Sequence, residues 1–84
     1  MSQAFSNLQR CRHVNLRRLL LQLDREGLNS WLAQSDLLGL TQPAVLKRMV
    51  AGSCIADDVA REIEWSLHRP SGWLDRIAAE PLDR

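Results

Sequence analysis

Residues 39–51 read GLTQPAVLKRMVA, and this stretch gives the clearest prediction of how the helices are arranged. Gly39 is suited to the left-handed backbone conformation that ends a helix. Thr41 is a typical N-cap residue, and Pro43 suits the first helical turn, where a missing N–H leaves no bond unmade. The stretch therefore predicts a tight turn between two short helices, which is the helix-turn-helix arrangement.

The helix after this turn, helix 3, is predicted over about residues 42–51. At 100° per residue it has two different faces. Its apolar face contains Val45, Leu46, Met49 and Val50, and its other face contains Ala44, Lys47, Arg48 and Ala51. We expect the apolar face to pack on a core and the other face to be exposed.

Helical periodicity continues on both sides of this stretch. Leucines at 16, 19, 20 and 23 predict helix 1 over about residues 13–26, ended by Gly27. Helix 2 is predicted over about 29–38, with Asn29 or Ser30 as its N-cap. Helix 4 is predicted to open at Ala56 or Asp57 after Gly52. Its inward stripe contains Val59, Ala60, Ile63 and Leu67.

The chain has 84 residues, which suits one domain. We predict an all-α fold of four to five helices. Residues 1–12 are expected to form an arm or a short extra helix, 13–79 the helix-turn-helix domain with a last helical turn from Trp73 to about Ala79, and 80–84 a frayed tail. The apolar runs are too short to span a membrane, so we expect a cytoplasmic, nucleoid-associated protein.

The two halves of the chain carry opposite charge. Residues 1–50 contain seven basic and three acidic side chains, whereas residues 51–84 contain four basic and seven acidic ones. A basic half suits contact with a polyanion. We expect arginines near the start of helix 1 to reach a sugar-phosphate backbone: Arg10, Arg12, Arg17 and Arg18.

The residue types of helix 3 fit the chemistry of base edges in the major groove. Gln42 suits adenine, Ala44 the methyl group of thymine, and Lys47 or Arg48 guanine, while Thr41 suits a phosphate oxygen. Which of Lys47 and Arg48 points most directly at the bases is left open by the periodicity. None of these contacts needs a cofactor.

Longer motifs occur on both sides of helix 3. Residues 55–75 fit I-x-D-x-x-A-R-x-I-E-x-x-L-x-x-P-x-G-W-L-D, residues 12–16 fit R-x-x-N-L, and residues 39–43 are similar to G-V-S/T-Q-P. From Arg12 to Asp75 the chain thus resembles the XRE family of bacterial and phage regulators, which have the lambda-repressor-like fold of Cro-type repressors. The small residue of helix 2 in this pattern is either Ala33 or Ser35.

This resemblance implies a repressor that reads a palindromic operator in double-stranded DNA as a homodimer, with Thr41 and Gln42 at the phosphate and base edge. Trp65 lies opposite the inward stripe of helix 4, so we predict a protomer contact made by Trp65 with Leu74, Ile77 or the tail. The alternative is that Trp65 packs under the C-terminal segment. Trp31 and Trp73 are predicted core residues.

Other classes of function have little support in the sequence. His13 and His68 are far apart, no motif places a nucleophile, and no metal-ligand spacing occurs, so we predict neither an enzyme nor a metal site. Cys11 and Cys54 are expected to be half-buried apolar fillers. The competing hypothesis is a protein-binding adaptor of the same fold, which would engage a toxin, an anti-repressor or polymerase as its protein effector through Trp65 and the acidic half.

Overall fold

The computed structural model describes residues 3–77. Its elements are α1 (Gln3–Arg25), α2 (Trp31–Leu37), α3 (Pro43–Val50), α4 (Asp57–Ser66) and a 3-10 helix (Trp73–Asp75). This part of the chain contains no strand, which confirms the all-α prediction at that level. The predicted tail 80–84 and residues 78–79 of the predicted last turn lie outside the described residues.

Helix α1 begins at Gln3, ten residues before the predicted start at residue 13. Residues 3–12 are therefore part of α1 and not a separate arm or extra helix. The buried stripe of this helix contains Gln9 and Arg12 as well as Leu16, Leu19 and Leu23. These positions have helical spacing, but the first two side chains are polar, so a search for apolar periodicity ends too late.

The turn between α2 and α3 has the predicted glycine. Gly39 has φ +77, the N–H of Leu40 donates to the carbonyl of Ser35 at 2.9 Å, and the N–H of Gly39 donates to the backbone carbonyl of Asp36 at 3.2 Å. This is a Schellman cap. A β-carbon at residue 39 would also collide with the side chain of Ser66, so α4 packs directly on the turn.

The residues at which α2 and α3 begin are set by the local sequence. Ser30 caps α2 by accepting a hydrogen bond from the N–H of Ala33 at 3.1 Å. The N-cap of α3 is Gln42 and not Thr41, so that prediction is wrong. Pro43 is the first helical residue and holds the residue before it in an extended conformation, which moves the boundary to Gln42.

The core is formed by apolar side chains from every helix except α2, together with loop residues. It contains Leu16, Leu19, Leu23, Leu38, Leu40, Leu46, Met49, Ile55, Ala60, Ile63, Trp73 and Leu74. Trp73 is thus a core residue, as predicted. The same prediction for Trp31 is wrong, because 40% of this residue is exposed at the first position of α2.

None of the helices described between residues 3 and 77 is both long enough and apolar enough to cross a membrane.

Candidate nucleic-acid interface

Helix α3 has one buried and one exposed face. Leu46 and Met49 are 0% and 3% exposed, and Val45 and Val50 are half-buried beside them. The side chains predicted to point outward are all exposed: Ala44, Lys47, Arg48 and Ala51. The predicted division of α3 into a buried apolar face and an exposed face is confirmed.

The middle of the exposed face is formed by small residues. With 3.6 residues per turn, Ala44 and Ala51 share its centre line, and Lys47 and Arg48 lie roughly 50° to either side. A methyl group is the only side-chain bulk at the centre, so another molecule can approach the helix backbone closely. The two flanking cations suit an anionic partner.

The start of α3 presents further polar groups. Thr41 and Gln42 are both exposed. Gln42 makes no side-chain capping bond, although it occupies the N-cap position. Its amide can therefore donate and accept hydrogen bonds with a partner. Thr41, Gln42 and Ala44 are thus three exposed residues at this end of the helix.

Helix α2 packs against α3 and supports it. Ser35 is 1% exposed and its hydroxyl donates to the carbonyl of Leu32 at 3.0 Å. Ala33 is only half-buried, so Ser35 is the small residue at the buried position of α2. The side-chain amide of Gln34 donates to the carbonyl of Leu28 at 2.8 Å, which ties α2 to the loop that precedes it.

An open groove separates α1 from the start of α2 and the end of α3. It has a volume of about 540 Å³, and Arg17, Asp24, Trp31 and Val50 are among its lining residues. The ammonium group of Lys47 lies 5.9 Å from the centre of the Trp31 ring, which is a cation–π contact. Trp31 thus connects a basic residue of α3 with the α1 side of the groove.

The arginines predicted to contact phosphate differ in their surroundings. Arg10, Arg17 and Arg18 are exposed, and no carboxylate of the described residues pairs with them. Arg48 on α3 is also exposed and pairs with no carboxylate of the described residues. Arg12 is 2% exposed and is fully engaged inside the protein, so its predicted contact with a sugar-phosphate backbone is wrong.

Arg12 is the centre of a polar network that joins α1 to the second half of the chain. Its guanidinium donates to Asp75 at 2.7 Å, to Asp57 at 2.8 Å and to the carbonyl of Ile55 at 2.7 Å. The side-chain amide of Gln9 completes this arrangement, since it donates to the Ile55 carbonyl at 2.9 Å and accepts from the Ile55 N–H at 2.7 Å.

The network continues through α4 to the 3-10 helix. Arg61 donates to Asp75 at 2.9 Å, and its Nε lies 2.8 Å from Glu64 without being aligned for a hydrogen bond. Glu64 is 1% exposed and accepts from the backbone N–H groups of Gly72 at 3.0 Å and Leu74 at 2.7 Å. These bonds hold the 3-10 helix against α4.

The charges of this network reinforce one another. The hydrogen bond to Asp75 raises the pKa of Arg12, against the lowering effect of burial. Burial alone would raise the pKa of Asp75, but the hydrogen bonds and charges of Arg12 and Arg61 outweigh it, so the pKa of this carboxyl lies below its ordinary value. Asp75 therefore remains ionised at neutral pH.

Sequence reasoning missed this network, although a signal for it was present. The motif residues at 12, 57, 61, 64 and 75 all belong to it, and Asn15 of the R-x-x-N-L motif donates to the carbonyl of Leu74 at 2.8 Å. The two ends of the motif set are thus bonded to each other. Their residue types reflect the packing of the fold and do not themselves form a binding surface.

The predicted protomer contact is only partly at the surface. Trp65 is 79% exposed and Ile77 is 86% exposed, so no described part of the C-terminal segment covers Trp65; the rest of that segment lies outside the described residues. Leu74 is 0% exposed within a single chain. It is a core residue and cannot offer its side chain to a second protomer.

Neither the cysteines nor the histidines lie on α2, on α3 or in the turn between these helices. Cys11 is half-buried, as predicted, whereas Cys54 is exposed, so the prediction for that residue is wrong. The ring nitrogens of His13 lie 2.7 Å from the carbonyl oxygen of Gln9 and 2.8 Å from that of Ser53, which ties α1 to the loop after α3. Residues 3–77 contain no cluster of three or more metal-binding side chains.

No protein-family model matches this chain, and neither a curated protein nor a solved structure shows significant similarity to it.

Proposed function

We propose that this protein is a sequence-specific double-stranded DNA-binding regulator of transcription, a lambda-repressor-like repressor that inserts α3 into the major groove of a palindromic operator as a homodimer. The observation that carries this proposal is the outer face of α3, with two small residues at its centre and an exposed cation on each side. A major groove about 12 Å wide admits one helix with such a face.

Charge distribution supports the same partner. In the described part of the chain, the carboxylates of Asp57, Glu64 and Asp75 pair with Arg12 and Arg61. The cations of α3 and of the outer side of α1 have no such partners there. They are therefore free to neutralise phosphates, and neutralising phosphates releases counterions from the duplex.

The test is binding to a duplex that the 84-residue chain selects from a randomised library. We expect Lys47→Ala and Arg48→Ala each to weaken binding by about 1–3 kcal/mol without a change in melting temperature. Arg76→Ala is the matched control, because it also removes an exposed arginine but not one on α3. Arg76 follows the 3-10 helix, which packs on α1 and α4. Unchanged affinity in both α3 variants would reject this use of α3.

The homodimer has its own test. Trp65 and Ile77 are large apolar side chains that remain exposed in the single chain, and such residues are frequent at protein interfaces. We expect sedimentation velocity to show a dimer for the unaltered protein and a shift towards monomer for Trp65→Ala. An unchanged sedimentation coefficient would remove Trp65 from the interface.

The exposure of Trp65 and Ile77 also favours the second candidate function, a protein-binding adaptor of the same fold. The library selection separates the two. The regulator enriches a palindrome whose half-sites are about 10 bp apart and remains bound in moderate salt. The adaptor enriches no duplex.

A further inference from the structure

We infer that the two cations of α3 have different tasks: Lys47, positioned by Trp31, contacts the sugar-phosphate backbone beside Arg17, whereas Arg48 reads a base. This inference rests on the proposed function and specifies how its binding surface is divided. Lys47 contacts an aromatic ring, whereas Arg48 contacts none of the described residues' rings.

The contact of Lys47 directs its side chain to one flank of α3. Its ammonium group lies 5.9 Å from the centre of the Trp31 ring, and Trp31 is the first residue of α2. On α3, Lys47 lies on the same flank as Val50, which lines the groove shared with Trp31 and Arg17. The ammonium thus lies away from the centre line of α3, on the side of Trp31 at the start of α2.

This flank combines groups that suit phosphate. Lysine is a compact and strongly hydrated point charge, and an ammonium held on an aromatic ring loses little further freedom when it meets an anion. Arg17 adds a second cation from α1, and both it and Lys47 are exposed. Asp24 also lines the groove and opposes them, so the flank keeps a net positive charge of one from these three side chains.

Arg48 lies on the opposite flank, beside Val45. No carboxylate or ring of the described residues holds its guanidinium. A guanidinium has a planar fork that matches the O6 and N7 atoms of guanine, whereas an ammonium has no such shape. The unrestrained arginine is therefore the cation that can turn towards a base edge.

The two roles predict different binding signatures with the duplex that the library selection yields and with its single-base-pair substitutions. Lys47→Ala should weaken binding to all of them by the same factor and, because the proposed homodimer has two copies of Lys47, reduce the magnitude of the slope of log K against log salt by about two. Arg48→Ala should lose the preference at one base pair per half-site, by roughly fivefold or more. Arg76→Ala should alter neither quantity.

Trp31 provides an independent test of the Lys47 contact. Trp31→Leu should weaken binding in the unaltered protein but not in the Lys47→Ala background, because the ring acts through the lysine. Trp31→Phe keeps an aromatic face and should retain most of the affinity. Melting temperatures of all variants report whether the fold is intact, and the double-mutant comparison cancels a purely structural loss.

The outcomes separate this inference from the proposed function. If no duplex is enriched, the proposed function fails. If a duplex is enriched but Lys47→Ala changes a base preference, or Arg48→Ala changes none, DNA binding stands and the division of roles is overturned. An equal effect of Trp31→Leu with and without Lys47 also overturns it.

Discussion

The corner around Arg12 and the outer face of α3 use the same kinds of charged residue in opposite ways. Arg12 is 2% exposed and donates to two carboxylates and a carbonyl. Arg48 is exposed and has no ion pair among the described residues. The net charge of +1 thus conceals a segregation of charge: acidic side chains pair with arginines in one corner, whereas the cations of α3 pair with no carboxylate of the described residues.

The two regions also differ in the energetic role of their charges. Removing one partner of a buried ion pair leaves the other charge without compensation, whereas an exposed charge is solvated whether or not it is paired. The Arg12 corner is therefore expected to determine stability, and the face of α3 is expected to determine binding.

The largest effect is expected from Arg12→Met, which breaks the closed corner. It removes the hydrogen bonds that the Arg12 guanidinium donates to Asp75, Asp57 and the Ile55 carbonyl. Hydrogen bonds from a charged donor contribute about 1.5–3 kcal/mol each, and Asp75 keeps Arg61, so the free energy of unfolding should fall by about 3 kcal/mol or more. Urea unfolding followed by far-ultraviolet circular dichroism measures this loss. Arg18→Met, at an exposed position of the same helix, is the control and should cost less than about 0.5 kcal/mol. Similar losses for both would abolish the distinction between the regions.

A smaller effect is expected from Glu64→Gln, which sharpens the comparison within the corner. The amide keeps the shape of the carboxylate but has one acceptor oxygen for the N–H groups of Gly72 and Leu74, so about 1.5–3 kcal/mol should be lost. The near-ultraviolet signal of Trp73, which lies in the attached 3-10 helix, should change as well. Glu62→Gln is exposed on the same helix and should leave both measurements unaltered.

The smallest effect is expected from acid, and it follows from the lowered pKa of Asp75. A carboxyl group whose folded-state pKa is below its unfolded value of about 3.9 contributes stability that is complete above that value. This contribution disappears as the pH falls through the folded-state pKa. The difference in urea midpoint between the unaltered protein and Asp75→Asn should therefore narrow below about pH 4. Parallel profiles across that range would contradict the assigned ion pairs.

Apolar periodicity and glycine positions predicted most of the fold. The four helices are present, and Gly27, Gly39 and Gly52 have the positive φ values that the turns require. The start of α1 was missed because its inward stripe continues through Gln9 and Arg12. The end of α4 has His68 at φ 57 where the other three helices have glycine, so Pro70, Ser71 and Gly72 predicted the break after this helix but no glycine marked the residue at which it ends.

The sequence predicted which residues of the candidate site are exposed, but not which residues they contact. A single helix with a two-faced pattern is enough to place Ala44, Lys47 and Arg48 at the surface. The Trp31–Lys47 contact joins residues of two helices, and an indole at position 31 has the same hydrophobicity whether it enters the core or covers a lysine. Periodicity therefore assigned Trp31 to the core, where it does not lie.

The sequence alone determined which faces of the helices are apolar and where the chain turns, because both are local properties with a fixed period. Which arginine is buried and which is exposed depends on the tertiary structure. Arg12 and Arg48 have the same side chain, and their difference arises from carboxylates that approach Arg12 across 45 and 63 residues of chain.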